Sequence, residues 1–287
     1  MIDVKDLRYT YASAREETLH GLGFEIAERE VFGFLGPSGA GKSTTQKTLI
    51  GLLKGYEGSV RVMGHEVSGW GKGYYEHLGV AFELPNHYLK LTARENLEYF
   101  RSLYAGKTHA PEDVLGWVGL LDDADKRVAQ YSKGMKVRLS IARSIIHRPK
   151  ILFLDEPTNG LDPVNARMVM DLVLRLRDDG ATVFVTTHDM MVADRLCDRV
   201  AFITAGAIGT VDAPEVLKKR YGKRTVRVEY LGREDRILTR EFPVDGVGDN
   251  SEFINLLRTA RRVETIHSQE TTLENVFIEV TGQELAG

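Results

Sequence analysis

Residues 36–44 carry the strongest chemical signal in this 287-residue sequence. They read Gly-Pro-Ser-Gly-Ala-Gly-Lys-Ser-Thr and follow the apolar run 31–35. Glycines let backbone amides curl around an anion, and the helix that follows directs its positive end at it. Lys42 is expected between the β and γ phosphates of a nucleotide, and the Ser43 hydroxyl on a magnesium ion. The segment therefore predicts nucleotide binding rather than a plain glycine-rich turn.

Two adjacent carboxylates follow a second apolar run. Residues 151–154, Ile-Leu-Phe-Leu, are typical of a strand buried on both faces, and Asp155 and Glu156 come directly after them. In open α/β sheets, ligands bind beyond the carboxyl ends of the strands, where the 36–44 loop also lies. Asp155 is expected to hold magnesium through water, and Glu156 to polarise an attacking water. A solvated strand end is the alternative, which the nearby loop disfavours.

A histidine ends a third apolar run. Residues 182–187 predict another strand, and His188 follows its carboxyl end. There the ring could hydrogen-bond a γ-phosphate. Standing alone, it would be interpreted as a surface histidine after a strand.

The spacing of apolar residues predicts which elements position these side chains, and this spacing changes along the chain. Residues 2–35 alternate apolar and polar positions and predict strands. Tyr11 lies on one such segment, where its ring could stack on adenine, although packing is the commoner role of a single tyrosine. Between about 90 and 148 the apolar spacing is helical, beginning with a capping box at Thr92 and Glu95. We therefore expect a helical insertion between two strand-rich parts.

Composition limits the classes of protein. The 38 basic and 41 acidic side chains nearly cancel, so no nucleic-acid partner is expected. The single cysteine, Cys197, cannot form an internal disulfide, which suits a reducing compartment. The first residues lack the apolar core of a signal peptide, and no apolar run approaches the roughly 20 residues of a spanning helix. Any membrane role would need a partner that spans the bilayer.

Taken together, residues of about 2–222 resemble the ATP-binding subunit of an ABC transporter. Five motifs occur in the family's order: the Walker A loop at 36–44, a signature at 131–135 (Tyr-Ser-Lys-Gly-Met), Walker B at 151–156, a D-loop at 159–162 (Asn-Gly-Leu-Asp) and a switch histidine, His188. Tyr11 stands where the family has its adenine-stacking aromatic. The resemblance implies ATP and Mg²⁺ as cofactors. The implied nucleotide contacts in the loop are Gly36, Pro37, Ser38, Gly39, Ala40, Gly41, Lys42, Ser43 and Thr44.

The same resemblance implies an α/β fold: a P-loop NTPase with a RecA-like core, an antiparallel β subdomain and an inserted helical subdomain, plus a small C-terminal α+β domain. The ATP-binding domain would span residues 1–222, with the helical subdomain at about 90–148. Residues 223–287 would form the accessory domain.

A head-to-tail dimer is also implied, in which the signature of one subunit closes on ATP bound to the other. Ser132 and Gly134 would open a helix over residues 135–147, so that its positive end faces the foreign γ-phosphate. Asp162 would carry the contact between the two sites. The implied catalytic residues are Lys42, Glu156 and His188, and the implied metal ligands are Ser43, Glu83 and Asp155.

Three positions depart from the family's common pattern. Lys133 replaces a usual glycine and Met135 a frequent glutamine, a variant that resembles bacterial drug exporters. Lys133 adds attraction for phosphate. Glu83 stands where the family has its Q-loop glutamine, which touches magnesium and couples to the membrane subunit. A carboxylate can ligate magnesium but adds negative charge, so Glu83 is either a metal or coupling residue or a solvated loop acid.

The pattern of apolar and polar residues changes after residue 222. Two strands are predicted, at 226–230 and 236–242, joined by a turn at 232–235. Two helical stripes follow, formed by Phe253, Leu257 and Ala260 and by Leu273, Val276, Phe277 and Val280. This segment resembles the tail of drug-export subunits, and packing is the favoured role of its stripes over partner binding.

The sequence thus predicts an ATP-hydrolysing subunit that energises an exporter of drugs or other hydrophobic compounds. It would lie peripherally at the cytoplasmic face of the cell membrane, with membrane-spanning permease subunits and a second ATP-binding subunit, identical or different, as partners. The alternatives are a soluble ABC-type ATPase acting on DNA or ribosomes, and a binding-only regulatory cassette.

Overall fold

The structure is a computed structural model that describes residues 1–222, 224–232, 236–269 and 271–283. Two compact units are present, one ending at Pro214 and one beginning at Glu215. This division comes a few residues earlier than the predicted change at residue 222.

An antiparallel sheet opens the first unit. Its strands are β1 (Ile2–Tyr9), β2 (Leu19–Ile26), β4 (Glu57–Val62) and β5 (His65–Glu66). They lie in the order β2-β1-β4-β5. One face is buried through alternating apolar residues such as Val4, Leu22 and Val60, as the period of a half-buried strand requires.

A second, largely parallel sheet carries the chemical motifs. Its strands are β3 (Val31–Leu35), β6 (Leu78–Ala81), β7 (Ile151–Asp155), β8 (Thr182–Thr187), β9 (Arg199–Thr204) and β10 (Ala207–Asp212), in the order β10-β9-β3-β8-β7-β6. Only β10 pairs antiparallel among the described strands of this sheet. Leu35 is in register with Thr187, and Asp155 with Thr186. Residues that follow β3, β7 and β8 therefore emerge at one edge.

Aromatic side chains fill the core shared by these two sheets. The ring centroid of Phe24, on β2, lies 5.6 Å from that of Phe32 and 5.4 Å from that of Phe34, both on β3. Phe184, on β8, lies 5.4 Å from Phe34. All four are buried, and each such ring removes a large apolar area from water. This aromatic cluster covers one face of the strand that delivers the phosphate loop, since Phe32 and Phe34 are two residues apart and share a face.

The first unit also contains helices, some of which pack on the parallel sheet and some on one another. They are α1 (Lys42–Leu49), α2 (Ala93–Arg101), α3 (Pro111–Trp117), α4 (Lys133–Ile145), α5 (Pro163–Asp178) and α6 (Met190–Leu196). Short 3₁₀ helices occur at Val67–Gly69, Lys72–His77, Leu121–Asp123, Val128–Gln130 and, in the second unit, Val247–Asp249. The helical insertion and its capping box are confirmed: Glu95 N donates to Thr92 Oγ1 at 3.1 Å, and Thr92 N to Glu95 Oε2 at 2.8 Å.

The second unit is a small α+β structure, as predicted. Its elements are α7 (Pro214–Tyr221), which starts at the boundary, β11 (Thr225–Leu231), β12 (Ile237–Pro243), α8 (Ser251–Thr259), β13 (Val263–Gln269) and α9 (Leu273–Thr281). The strands form an antiparallel sheet in the order β12-β11-β13. The sequence reasoning missed β13.

The packing of α8 differs from the predicted stripe. Leu256, which the stripe omitted, is buried, Phe253 and Leu257 are partly buried, and Ala260 follows the end of the helix. The predicted stripe of α9 holds at Leu273, Val276 and Phe277, which are buried. Residues 223 and 233–235, where a domain boundary and a turn were predicted, lie outside the described residues.

Candidate functional site

The phosphate loop is shaped by glycines between β3 and α1. A Cβ at Gly36 would lie 2.1 Å from the Ile203 carbonyl oxygen, so no other residue fits there. Gly41 has a φ of 107°, a conformation that L side chains avoid. The loop therefore needs glycine at both positions to pass close to β9 and enter the helix.

Lys42 lies at the centre of this loop. Its ammonium donates to the Gly36 carbonyl at 2.6 Å and to the Pro37 carbonyl at 3.0 Å. Burial lowers the pKa of Lys42, while the carboxylates of Glu156 and Asp155 act in the opposite direction. A cation held by neutral carbonyls in a partly dry site can exchange them for phosphate oxygens.

Asp155 and Glu156 are held by hydroxyls of β8. Thr186 Oγ1 donates to Asp155 Oδ1, and Thr187 Oγ1 donates to Glu156 Oε2 at 2.9 Å. Glu156 has a φ of 47°, an uncommon conformation for a residue with a side chain. Its carboxylate is buried, with 8% of the residue exposed. A strained, buried carboxylate fixed by donors is a typical feature of an active site.

His188 closes the same cluster. Its backbone N–H and its Nδ1 lie 3.1 Å and 2.7 Å from Glu156 Oε1. The short Nδ1 contact to a carboxylate favours a proton on Nδ1, which leaves Nε2 for a further partner. About half of the His188 side chain is exposed, so a ligand can reach it.

Glu83 extends from the residues after β6 toward the D-loop segment. Its Oε1 accepts a hydrogen bond from Asn159 Nδ2 at 3.3 Å, and the side chain is exposed. Glu83 also faces the cleft that holds Lys42, since its charge acts on the pKa of that ammonium. The residue at the Q-loop position is therefore within the site.

These groups line one cleft of about 440 Å³. Its lining comprises Thr18, Ser38, Gly39, Gly41, Lys42, Ser43, Thr44, Glu83, Asp155, Glu156 and His188. Ten of these eleven residues were singled out from the sequence. The volume lies within the range of small-ligand sites.

Some predicted residues lie beside the cleft. Gly36, Pro37 and Ala40 shape the loop without lining it. The Tyr11 hydroxyl lies 3.1 Å from Thr44 Oγ1, and its ring meets that of Tyr9 edge-on at 5.0 Å.

Signature and D-loop residues do not line the cleft of their own chain. Ser132 Oγ accepts from Met135 N at 3.2 Å and caps α4, which starts at Lys133. The predicted start at residue 135 was therefore too late, because a serine cap bonds the third residue of its helix. Gly134 packs against Leu161, since a Cβ there would lie 3.2 Å from Leu161 Cδ2.

Asp162 caps the next helix, α5. Its Oδ1 accepts from the backbone N–H groups of Val164 and Asn165 at 3.0 Å each. Hydrogen bonds from the backbone and side chain of Asn165 contribute most to lowering the pKa of Asp162, and the bond from Val164 adds to them. In the single chain this carboxylate thus organises its own helix.

Three hydroxyl residues of the site were missed. Thr186 and Thr187 were assigned only to a strand, although a pair of threonines at its end, level with two carboxylates, was a usable signal. Thr18 also lines the cleft, and its backbone N–H donates to the Tyr9 carbonyl. No sequence motif surrounds Thr18.

The oxygen donors suit magnesium held together with a nucleotide. Ser43, Asp155 and Glu83 line the same cleft, and Mg²⁺ is usually bound by one or two protein oxygens plus phosphates and water. No cluster of three or more His, Cys, Asp or Glu side chains in the described part of the chain could hold a metal ion alone.

Comparison with known proteins decides the family. A family model described as ABC transporter matches residues 19–159. The chain is 53% identical over 285 residues to a fluoroquinolones export ATP-binding protein of Mycobacterium tuberculosis strain H37Rv, covering 99% of this chain and 94% of that protein. The chain belongs to the ATP-binding subunits of ABC transporters. This ABC subunit is an ATPase. No helix among its described residues is long and apolar enough to cross a bilayer.

Other relatives and solved structures agree. The ABC subunit is 36% identical over 225 residues to the bacitracin transport ATP-binding protein BcrA of Bacillus licheniformis, covering 78% of this chain and 73% of that one. A dimeric ATP-binding cassette in a post-hydrolysis state, bound to ADP and phosphate, matches with a TM-score of 0.68 and 28% identity over 74% of this chain and 98% of its own. The predicted P-loop fold is confirmed. Residues 224–270 match a model described as fluoroquinolone efflux ABC transporter C-terminal domain.

Proposed function

We propose that this subunit powers the export of drugs, with fluoroquinolone-type compounds as the first candidates, through separate membrane-spanning permease subunits. The observation that carries the proposal is the 53% identity over nearly the full length to a fluoroquinolones export subunit. The tail agrees with it, because residues 224–270 match a domain described for the same kind of exporter. Residues 1–222 would act as the ATP-binding domain, including the helical subdomain at about 90–148, and residues 223–287 as the accessory domain.

The chemistry we assign to the cleft is magnesium-dependent attack of water on the γ-phosphate of ATP, which forms a bond from the water oxygen to phosphorus, breaks the bond to the β–γ bridging oxygen and releases ADP and phosphate. Lys42 exchanges its loop carbonyls for phosphate oxygens, and Ser43 and Asp155 hold the metal. Glu156 accepts the proton of the attacking water, a role supported by its rigid attachment to Thr187 and His188.

His188 completes the assignment in the form that carries a proton on both ring nitrogens, in which Nδ1 donates to Glu156 and Nε2 donates to the γ-phosphate. Because Nδ1 is engaged by Glu156 at 2.7 Å, the ring is oriented before ATP arrives, and this preorganisation lowers the cost of stabilising charge in the transition state. Thr44 and Tyr11 support the adenine side of the loop, and Glu83 adds a carboxylate near the metal.

A second ATP-binding subunit, identical or related, would complete each site. Ser132 and Gly134 lie outside the cleft of their own chain at the first turn of a 13-residue helix, where backbone N–H groups can face an anion. Dimeric cassettes among the matching structures support this arrangement. Closure on ATP and reopening after hydrolysis would then drive the permease.

The contact with the permease is assigned to the segment after β6. Leu84, Tyr88 and Leu89 expose 80%, 49% and 50% of their surface, a concentration of apolar groups that suits a partner. The segment is tied to α4, since the ring N–H of His87 donates to the Lys136 carbonyl at 2.9 Å. Movement of this segment can therefore reach the signature residues, and the subunit would lie at the cytoplasmic face of the membrane.

Reconstitution tests the proposal. The tagged subunit is purified from detergent-solubilised membranes with its bound permease and placed in vesicles, and uptake of a fluorescent fluoroquinolone is measured with and without MgATP. ATP-dependent uptake that disappears in the Glu156→Gln variant is expected. Turnover with no transport and no co-purified membrane protein would instead favour a soluble ATPase acting on DNA or ribosomes, and binding without turnover a regulatory cassette.

A further inference from the structure

A second cavity lies at the opposite edge of the parallel sheet from the ATP cleft. It has a volume of about 550 Å³ and shares no lining residue with that cleft. Residues 148–150 precede β7 and residues 180–181 precede β8, so the cavity lies at the amino ends of these strands. Trp117 at the end of α3 and Arg175 on α5 form its rim. Its size matches a small-molecule site.

Three cations converge on this cavity. Arg148, Lys150 and Arg175 line it, against one lining carboxylate, Asp179. The structure gives none of the three an acidic partner among the described residues. Arg175 lies over the face of Trp117, with 4.6 Å from its Cζ to the ring centroid. The cavity therefore carries a net positive charge that the fold leaves unneutralised.

An apolar floor accompanies these charges. Ile145 and Leu152 are buried at the cavity wall, and Trp117 meets His109 edge-on at 4.7 Å between centroids. Burial and the nearby Arg148 lower the pKa of His109, with Arg175 acting in the same direction and Asp113 against it. The imidazole is thus neutral at pH 7 and adds a flat, uncharged surface.

We propose that this cavity binds a small organic anion, a flat apolar ring system that carries one acidic group. The ring packs beside Trp117 on the apolar wall, and the acid lies between Arg148 and Lys150. Guanidinium and ammonium groups at the edge of an apolar pocket recognise this combination, because the anion gains charge-assisted bonds while the ring leaves water. The three cations outnumber the one carboxylate, Asp179, so the cavity disfavours a cationic ligand.

A pair of dyes separates charge recognition from apolar binding. The anionic probe is 8-anilinonaphthalene-1-sulfonate, and the neutral probe is N-phenyl-1-naphthylamine, which has the same rings without the sulfonate. The double variant Arg148→Gln, Lys150→Gln should bind the anionic dye at least roughly tenfold more weakly, as expected when charge-assisted bonds are lost, and the neutral dye unchanged. Lys54→Gln, which removes an exposed cation outside the cavity lining, should bind both dyes like the parent.

Two further measurements locate the dye. Saturating MgATP should leave its affinity unchanged, because the two cavities share no residue. The chain has two tryptophans, so in a Trp70→Phe variant Trp117 alone emits, and bound dye in the cavity must quench it by energy transfer. Equal affinity of the anionic dye for parent and double variant overturns the proposal. So does competition by ATP, or dye binding without quenching of Trp117.

Discussion

His188 and Glu156 are joined by two hydrogen bonds to one oxygen. Both the backbone N–H and the Nδ1 of His188 reach Glu156 Oε1, at 3.1 Å and 2.7 Å. The other oxygen, Oε2, accepts from Thr187 at 2.9 Å. A carboxylate with donors on both oxygens keeps one orientation, so the proton acceptance proposed for Glu156 and the γ-phosphate contact proposed for His188 would be geometrically linked.

Replacing Glu156 by glutamine should separate binding from turnover. The amide keeps the size of the side chain but cannot accept a proton at neutral pH, so phosphate release should fall roughly 100-fold or more. The contacts proposed for Lys42, Ser43 and Asp155 with MgATP remain in this variant, so nucleotide affinity should be close to that of the parent. Light scattering should detect a dimer that persists in ATP. Parental hydrolysis would refute the role of Glu156, and an inactive monomer in ATP would refute the shared site.

Thr187 should act as a positioning residue for Glu156. Thr187→Val keeps the shape of this fully buried side chain but removes the donor to Oε2, and kcat should fall several-fold because the carboxylate gains freedom. Thr187→Ser, which retains the hydroxyl, is the matched control and should restore most of the rate. The Michaelis constant for ATP should hardly change in either variant. A valine variant as fast as the serine variant would show that this bond does not orient Glu156.

The sequence was informative where the signal is local. Loop 36–44 and the strand ends at Asp155 and His188 are each defined by a short run of residues, and the structure brings all of them into one cleft. The two threonines at the end of residues 182–187 were a usable signal, but their partners depend on the register that sets Asp155 opposite Thr186 on a neighbouring strand, which the sequence does not show.

Strand β13 illustrates a second limit. It reads Val-Glu-Thr-Ile-His-Ser-Gln, with too few apolar positions for an alternating pattern. It is nevertheless a strand because β11 supplies a partner along its length, from Thr225 opposite Gln269 to Tyr230 opposite Val263. Pairing with a distant strand overrides weak local preference.

Glu83→Gln tests the acid at the Q-loop position. Glu83 lines the cleft and accepts from Asn159 Nδ2 at 3.3 Å. The glutamine removes one negative charge near the proposed magnesium position while keeping an oxygen acceptor. We expect a change in either of two quantities: the magnesium concentration that gives half-maximal turnover, or the stimulation of turnover by the permease. The affinity for ATP should change little. Lys54→Gln is a control for a surface charge change. Identical magnesium curves and identical stimulation would return Glu83 to the solvated-loop interpretation.

Two buried histidines should make the protein sensitive to mild acid. Burial lowers the pKa of His87 and of His147 to about 4. In the unfolded chain both take up protons near pH 6.5, so between pH 6.5 and 4 the unfolded state binds more protons and the free energy of unfolding falls as the pH falls. Full protonation would cost at most about 3 kcal/mol for each histidine.

The contribution of His87 can be isolated by His87→Gln. The glutamine amide can still donate to the Lys136 carbonyl, which His87 contacts at 2.9 Å, but it does not titrate. Urea unfolding at pH 7.5 and pH 5 gives the loss of stability for each protein, and carboxylates common to both cancel in the comparison. The variant should lose less stability than the parent between these two values, because only His147, which lies 2.8 Å from the Leu78 carbonyl, then remains of the pair. An equal loss in both proteins would mean that His87 is protonated as readily in the folded chain as in the unfolded one.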